Sequence, residues 1–157
     1  MSAATPDAGP IHAFLAGRGP DGRGRRLADI LAFDDLHIEG VHDFIQWCFP
    51  LAEASRAVPG APVLGPGEAA AIRADPAALA GLRAARDRMR RFYAETDGWL
   101  SPRDHNHLRI TRILTALRDL AGPEEARAFL AFVVARDEAA GHPVNRESVA
   151  FWRRAAA

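Results

Sequence analysis

The sequence predicts an all-α protein: a single compact domain of six to eight helices, several short, around a central Trp-bearing helix. Three observations predict it. No segment alternates apolar and polar residues as a half-buried strand requires. Apolar residues instead recur at i, i+3, i+4, i+7, as Val41, Phe44, Ile45 and Cys48 do. Helix starts and stops punctuate the chain, notably Asp75-Pro76, Ser101-Pro102, Gly122-Pro123 and Asn145. With 157 residues, one core is large enough to bury about 70% of the extended-chain surface.

Residues 1–9 are small and polar and are expected to fray, leaving 10–157 as the domain. Residues 10–16 suit a short helix with Pro10 in its first turn and Gly17 as its stop. The following Gly17-Arg18-Gly19-Pro20-Asp21-Gly22 spells G-x-G-x-x-G, but a helix rather than a strand precedes it and Pro20-Asp21-Gly22 is a turn, so no nucleotide site is assigned. Residues 26–33 form a second helix with Leu27, Ile30 and Leu31 inward. Asp34 and Asp35 cap the helix that leads into the tryptophan motif, His42-Asp43-Phe44-Ile45-Gln46-Trp47-Cys48-Phe49-Pro50-Leu51. On that helix Val41, Phe44, Ile45 and Cys48, widened by Trp47, face inward, and His42 and Gln46 stack opposite them until Pro50 ends it.

From 50 to 66 four prolines and two glycines forbid regular structure. Leu51, Val58, Val63 and Leu64 pack this loop down, either as the wall of a binding groove or as a compact Ω-like loop. An Ala-rich helix covers 67–74. The next, capped by Asp75, runs to Glu95 and buries Leu82, Ala85, Met89 and Phe92, with Arg83, Arg86, Arg88, Arg90 and Arg91 on its solvated side. Ser101, with Pro102 and Asp104 after it, starts a helix running to Leu120. Its stripe of Ile110, Ile113, Leu114, Leu117 and Ala121, continued back one turn, lands on Asn106, which must therefore be buried and hydrogen-bonded. Leu108 points the other way, toward a second neighbour. Helices over 124–140 and after Asn145 complete the chain, the last docking through Val149, Phe151 and Trp152.

Composition excludes several functions. The formal net charge is zero, whereas a nucleic-acid binder carries a positive excess. All twenty basic residues are arginine, which with abundant Ala, Gly and Pro reads as the codon bias of a GC-rich, bacterial-type genome. No apolar run is long enough to cross a bilayer, and no signal peptide is read, so a cytoplasmic protein is expected. The single cysteine, Cys48, excludes an internal disulfide and reads as a small core hydrophobe. His105 and His107 diverge by about 200° on a helix and share no ion, and no zinc or nucleophile motif occurs, so no metal, cofactor or catalytic residue is assigned.

Two polar faces remain: His42 with Gln46 beside Trp47, and His105, Arg109 and Arg112 at i, i+4, i+7. If they meet, they make a cationic pocket suited to a carboxylate such as a peptide C-terminus.

These stretches also carry a resemblance. The run from His42 to Leu51, and His105-Asn106-His107-Leu108-Arg109-Ile110-Thr111-Arg112-Ile113-Leu114, resemble the two signatures of the opioid growth factor receptor conserved region, H-x-[YF]-I-Q-W-L-F-P-L and H-N-N-L-R-I-T-R-I-L. Asp29-Ile30-Leu31, Ala61-Pro62-Val63-Leu64 and Arg91-Phe92-Tyr93 lie in the same order as in that family, so the likeness spans 26–152. The chain departs at Cys48 and His107, where the family has leucine and asparagine. The resemblance implies the helical fold and, as a family label, a receptor for a peptide, Met-enkephalin in vertebrates. The expected function is a non-catalytic module that binds a peptide or partner protein through His42, Gln46, Trp47, His105, Asn106, Arg109 and Arg112. The alternatives are a small-molecule binder or enzyme using His42 or His105 as acid or base, and a protein whose motif residues only hold the fold.

Overall fold

The computed structural model describes residues 6–157. Among the described residues there are nine α-helices and no strand, so the chain is all-α with one helix more than expected. Five are short: α1 (Pro10–Leu15), α2 (Leu27–Leu31), α3 (Asp35–Gly40), α4 (Ile45–Cys48) and α5 (Pro66–Ala74). Four are longer: α6 (Pro76–Glu95), α7 (Asn106–Leu120), α8 (Pro123–Ala139) and α9 (Arg146–Ala155). None is long and apolar enough to cross a membrane. Of the segment expected to fray, residues 1–5 lie outside the described residues. Asp7 accepts from Arg18 Nε, and the Ala8 amide donates to His12 Nδ1.

The caps read from sequence do their work where they are local. Asp75 accepts from the Ala77 amide at the start of α6, and Asn145 accepts from Ser148 at the start of α9. One apolar cluster runs from Ile11 to Ala156, with Phe14, Phe44, Phe49, Tyr93, Trp99 and Trp152 fully buried. Gly81 lets α1 meet α6: a Cβ there would stand 1.8 Å from the Leu15 carbonyl oxygen.

Three local expectations are corrected. The tryptophan motif is not one helix. Gly40 ends α3, Val41 is extended, and α4 is a single turn starting at Ile45. The element with most neighbours is α6, which packs against α1, α2, α4, α5, α7 and α8, while α7 packs against α5, α6, α8 and α9; a one-turn helix has too little surface for a central role. Second, α7 starts at Asn106, not near Ser101. The Ser101 hydroxyl donates to the Gly98 and Arg103 carbonyls instead of accepting as a cap. The Pro102 carbonyl meanwhile accepts from the Asn145 amide and side chain, and Asp104 Oδ1 takes the Asn106 N–H. Third, Leu108 is 72% exposed and has no second neighbour to cover it, while Phe151 stays half out of the core beneath Arg154.

Candidate functional site

Short helices leave a high proportion of carbonyls unbonded at their C-termini. Here arginines from the longer helices bond them. Arg109 Nη1 donates to the Ile38 carbonyl at 2.7 Å, and its Nη2 donates to the Val41 carbonyl at 2.7 Å and to His42 Nδ1 at 3.2 Å. Arg112 Nε donates to the Phe49 carbonyl at 2.8 Å, just beyond α4. Arg88, expected on the solvated side of α6, is buried; it donates to the Phe33 carbonyl and to Asp35. Arg136 does the same at the end of α6, donating to the Tyr93 and Thr96 carbonyls. A guanidinium suits this task because it carries five donors and favours the negative end of a helix.

The two motif segments therefore meet, but their arginines are spent on backbone. Burial lowers the pKa of Arg109, and that of Arg112 to about 10. Arg112 Nη2 is buried with no partner. Gln46 is buried on α4 with its Oε1 unpartnered and does not stack on His42, which precedes the helix and is exposed. Cys48 is enclosed in the core, where burial holds its thiol well above the usual range.

Asn106 is 1% exposed and fully engaged: Tyr93 donates to its Oδ1, and its Nδ2 donates to Glu39 and Asp104. His107 is structural, donating to the Trp99 carbonyl at 2.8 Å while its own carbonyl accepts from Trp152 Nε1. His105 faces solvent. Its ring lies 5.2 Å from that of His42, edge to face, and its Nε2 stands 3.0 Å from Glu39 Oε1. His42 has its pKa lowered by partial burial, then by the charges of Arg109 and His105.

The seven residues singled out in the sequence thus fall in separate places. His42, His105, Asn106 and Arg109 cluster where α3 ends and α7 begins. Arg112 sits beneath Phe49, and Gln46 is in the core. Trp47 lies half-buried in a groove of about 250 Å³ lined also by Gly22, Arg23, Asp43 and residues 58–62. Phe14 meets the Trp47 ring edge to face at 5.7 Å. A Cβ on Gly22 would sit 3.4 Å from Trp47 Cζ2, so glycine keeps that side open. Arg23, on the rim, pairs with Asp43 at 2.9 Å with 73% of its side chain exposed.

Sequence reasoning did not single out Arg23 at the groove or Glu39 beside the histidines. Nothing local marks them, since each gains its meaning from a partner far along the chain. The Gly17–Gly22 turn is closed by Asp21, whose carboxylate accepts the Arg23 and Arg25 amides. Those N–H groups are not offered to a phosphate. A larger cavity, about 620 Å³, lies between α1 and the α5–α6 junction. Its polar groups are mutually committed: His12 Nε2 lies 2.8 Å from Asp75, and Arg18 bridges Asp7 and Asp75.

No family model, characterised protein or solved structure matches this chain.

Proposed function

We propose that this chain is a non-catalytic helical module of the opioid growth factor receptor conserved-region type, and that it binds an extended peptide segment of a partner protein. The observation that carries this reading is the groove between Trp47 and the proline-rich 58–62 loop. An indole wall faced by Val58, Pro59 and Pro62 offers flat apolar contact to a peptide's side chains. The groove, about 250 Å³, is below the size of most cofactor and small-molecule pockets and suits one or two residues of a longer ligand. Arg23, exposed on the rim, pairs with the partly buried Asp43, which Arg25 also holds at 2.9 Å. An ion pair made by so exposed an arginine contributes little to stability, so Arg23 exchanges readily to the carboxylate of a ligand while Arg25 keeps Asp43 paired.

Of the residues expected to bind the peptide, this site keeps Trp47 and leaves out the histidines and arginines. The arginines assigned to the cationic pocket donate to carbonyls of their own chain, which also disfavours an enzyme relying on them.

Screening a library of extended octapeptides by thermal shift tests the reading, because a ligand that binds only the native state raises the midpoint by mass action. A peptide hit is expected to lose affinity at least about tenfold in Trp47→Ala, equal to about 1.4 kcal/mol. His105→Gln is expected to leave it unchanged. Absence of any hit, or a hit that binds Trp47→Ala as well as the parent, would overturn it.

A further inference from the structure

We propose that Glu39, Asp104 and His105 form a binding site for a first-row divalent cation such as Zn²⁺, at the solvent-facing junction of α3 and α7. One donor atom from each of the three lies within 4.8 Å of the others. Tetrahedral zinc with bonds of about 2.0–2.1 Å sets its donors about 3.3 Å apart. His105 Nε2 and Glu39 Oε1 already stand 3.0 Å apart. Asp104 Oδ1 lies 3.8 Å from the other ring nitrogen, Nδ1, so binding requires the exposed ring or the carboxylate to turn until one nitrogen serves both; Asp104 Oδ2 takes no hydrogen bond from a described residue and is free to do so. His105 is exposed and Glu39 and Asp104 are partly so, so an ion has access and ligand positions stay open to water.

Electrostatics favours a cation here. The chain has twenty basic residues, and arginines pair with Asp7, Asp21, Asp35, Asp43, Asp75, Asp137 and Glu125. Glu39 and Asp104 are held together by one Asn106 nitrogen, and among the described residues the basic group within 4.0 Å of either is His105. Opposing a cation are the positive end of α7, about half a unit charge, and Arg109. That guanidinium is turned away onto the Ile38 and Val41 carbonyls. Two carboxylates outweigh these.

The supporting shell is in place. Asn106, buried and fixed by Tyr93, orients both carboxylates as outer partners of metal ligands do. His42 is not a ligand. Its Nδ1 accepts from Arg109, so its Nε2 carries the proton and has no lone pair for a metal. It walls the site edge to face against His105. One imidazole with two carboxylates suits Zn²⁺, Mn²⁺ or Fe²⁺ rather than Ca²⁺, which prefers oxygen alone.

Titration calorimetry of the full chain with ZnCl₂, and with CoCl₂ read by its visible absorption, tests the site. One equivalent is expected to bind. Affinity is expected to fall at least about tenfold in both His105→Gln and Glu39→Gln. His142→Gln, which alters an exposed histidine beside Asp137, is expected to leave affinity within about twofold. Circular dichroism on each variant checks that it stays folded; the altered side chains face solvent. No binding by the parent, or binding that survives both His105→Gln and Glu39→Gln, would overturn the proposal. Neither result bears on the Trp47 groove, which shares no residue with this site.

Discussion

At the scale of single residues, the arginines of α7 show how one side chain can be indispensable and its neighbour nearly dispensable. Arg109 satisfies two carbonyls and a histidine nitrogen. Arg109→Met should therefore cost about 2–4 kcal/mol, since each buried polar group left unpaired costs about 1–3 kcal/mol. Arg112 bonds one carbonyl and carries a charge whose pKa burial lowers to about 10. The unfolded chain binds that proton more tightly than the folded one, so a penalty is present at neutral pH and relieved only as pH rises past 10. Arg112→Met removes the penalty along with the bond and should cost less than half as much. Urea unfolding of the two variants measures both, and equal losses would refute the difference. His42 offers a second check. Its pKa is lowered in the fold, so the unfolded chain takes up the proton first as pH falls. Its contribution to stability is complete above the unfolded value of about 6.5 and is lost as pH falls from there through the folded value. His42→Gln should flatten the stability profile between pH 7 and 5. An unchanged slope would show that His42 titrates alike in both states.

At the scale of elements, a glycine decides how closely two helices approach. Gly81 on α6 places its hydrogen where a Cβ would fall 1.8 Å from the Leu15 carbonyl oxygen. Backbone cannot yield as a side-chain tip can, so Gly81→Ala should destabilise by about 1–3 kcal/mol despite its gain in helix propensity. Chemical denaturation measures the loss, and a more stable variant would mean that α1 shifts freely. What the sequence disclosed follows the same division between local and distant causes. Helices α6 and α9 were readable because Asp75 and Asn145 cap them from one residue away. The burial of Asn106 followed from periodicity, one turn back from Ile110. The break between α3 and α4 was not readable. The apolar spacing from Val41 to Cys48 fits a helix, and the agent that holds the chain extended at Val41, Arg109, lies in a different segment. The start of α7 was misplaced for the same reason: Ser101-Pro102 has the spelling of a cap, but Asn145 competes for the Pro102 carbonyl. The Glu39–Asp104–His105 cluster was equally hidden, since Asp104 and His105 are adjacent but Glu39 reaches them from a distant segment, where ligand spacing rules give no signal.

At the scale of the whole molecule, the chain consists of two helical sets, α1–α6 and α7–α9, and its unfolding should reveal whether they behave as one. Several ties cross between them: Arg109 to the end of α3, Arg112 to Phe49, Arg136 to the end of α6, Arg83 and Arg86 to Glu125, and Tyr93 to Asn106. Beneath them the apolar cluster is continuous, with Met89, Phe92 and Tyr93 of α6 in the same core as Ile110, Leu114 and Phe129. Neither set could open alone without exposing this shared surface and stranding buried arginines and carbonyls. The prediction is a single two-state transition. Trp47 reports on the first set, and Trp99 and Trp152 lie against the second, so variants retaining one tryptophan each resolve them. Within each variant, the guanidinium midpoint read from its tryptophan should coincide with that from far-ultraviolet circular dichroism, whatever stability the removal of the other tryptophans costs. An earlier midpoint at Trp47 would mean that α1–α4 detach first. The arginine ties would then be the weak seam of the fold, and the groove beside Trp47 would come apart before the core did.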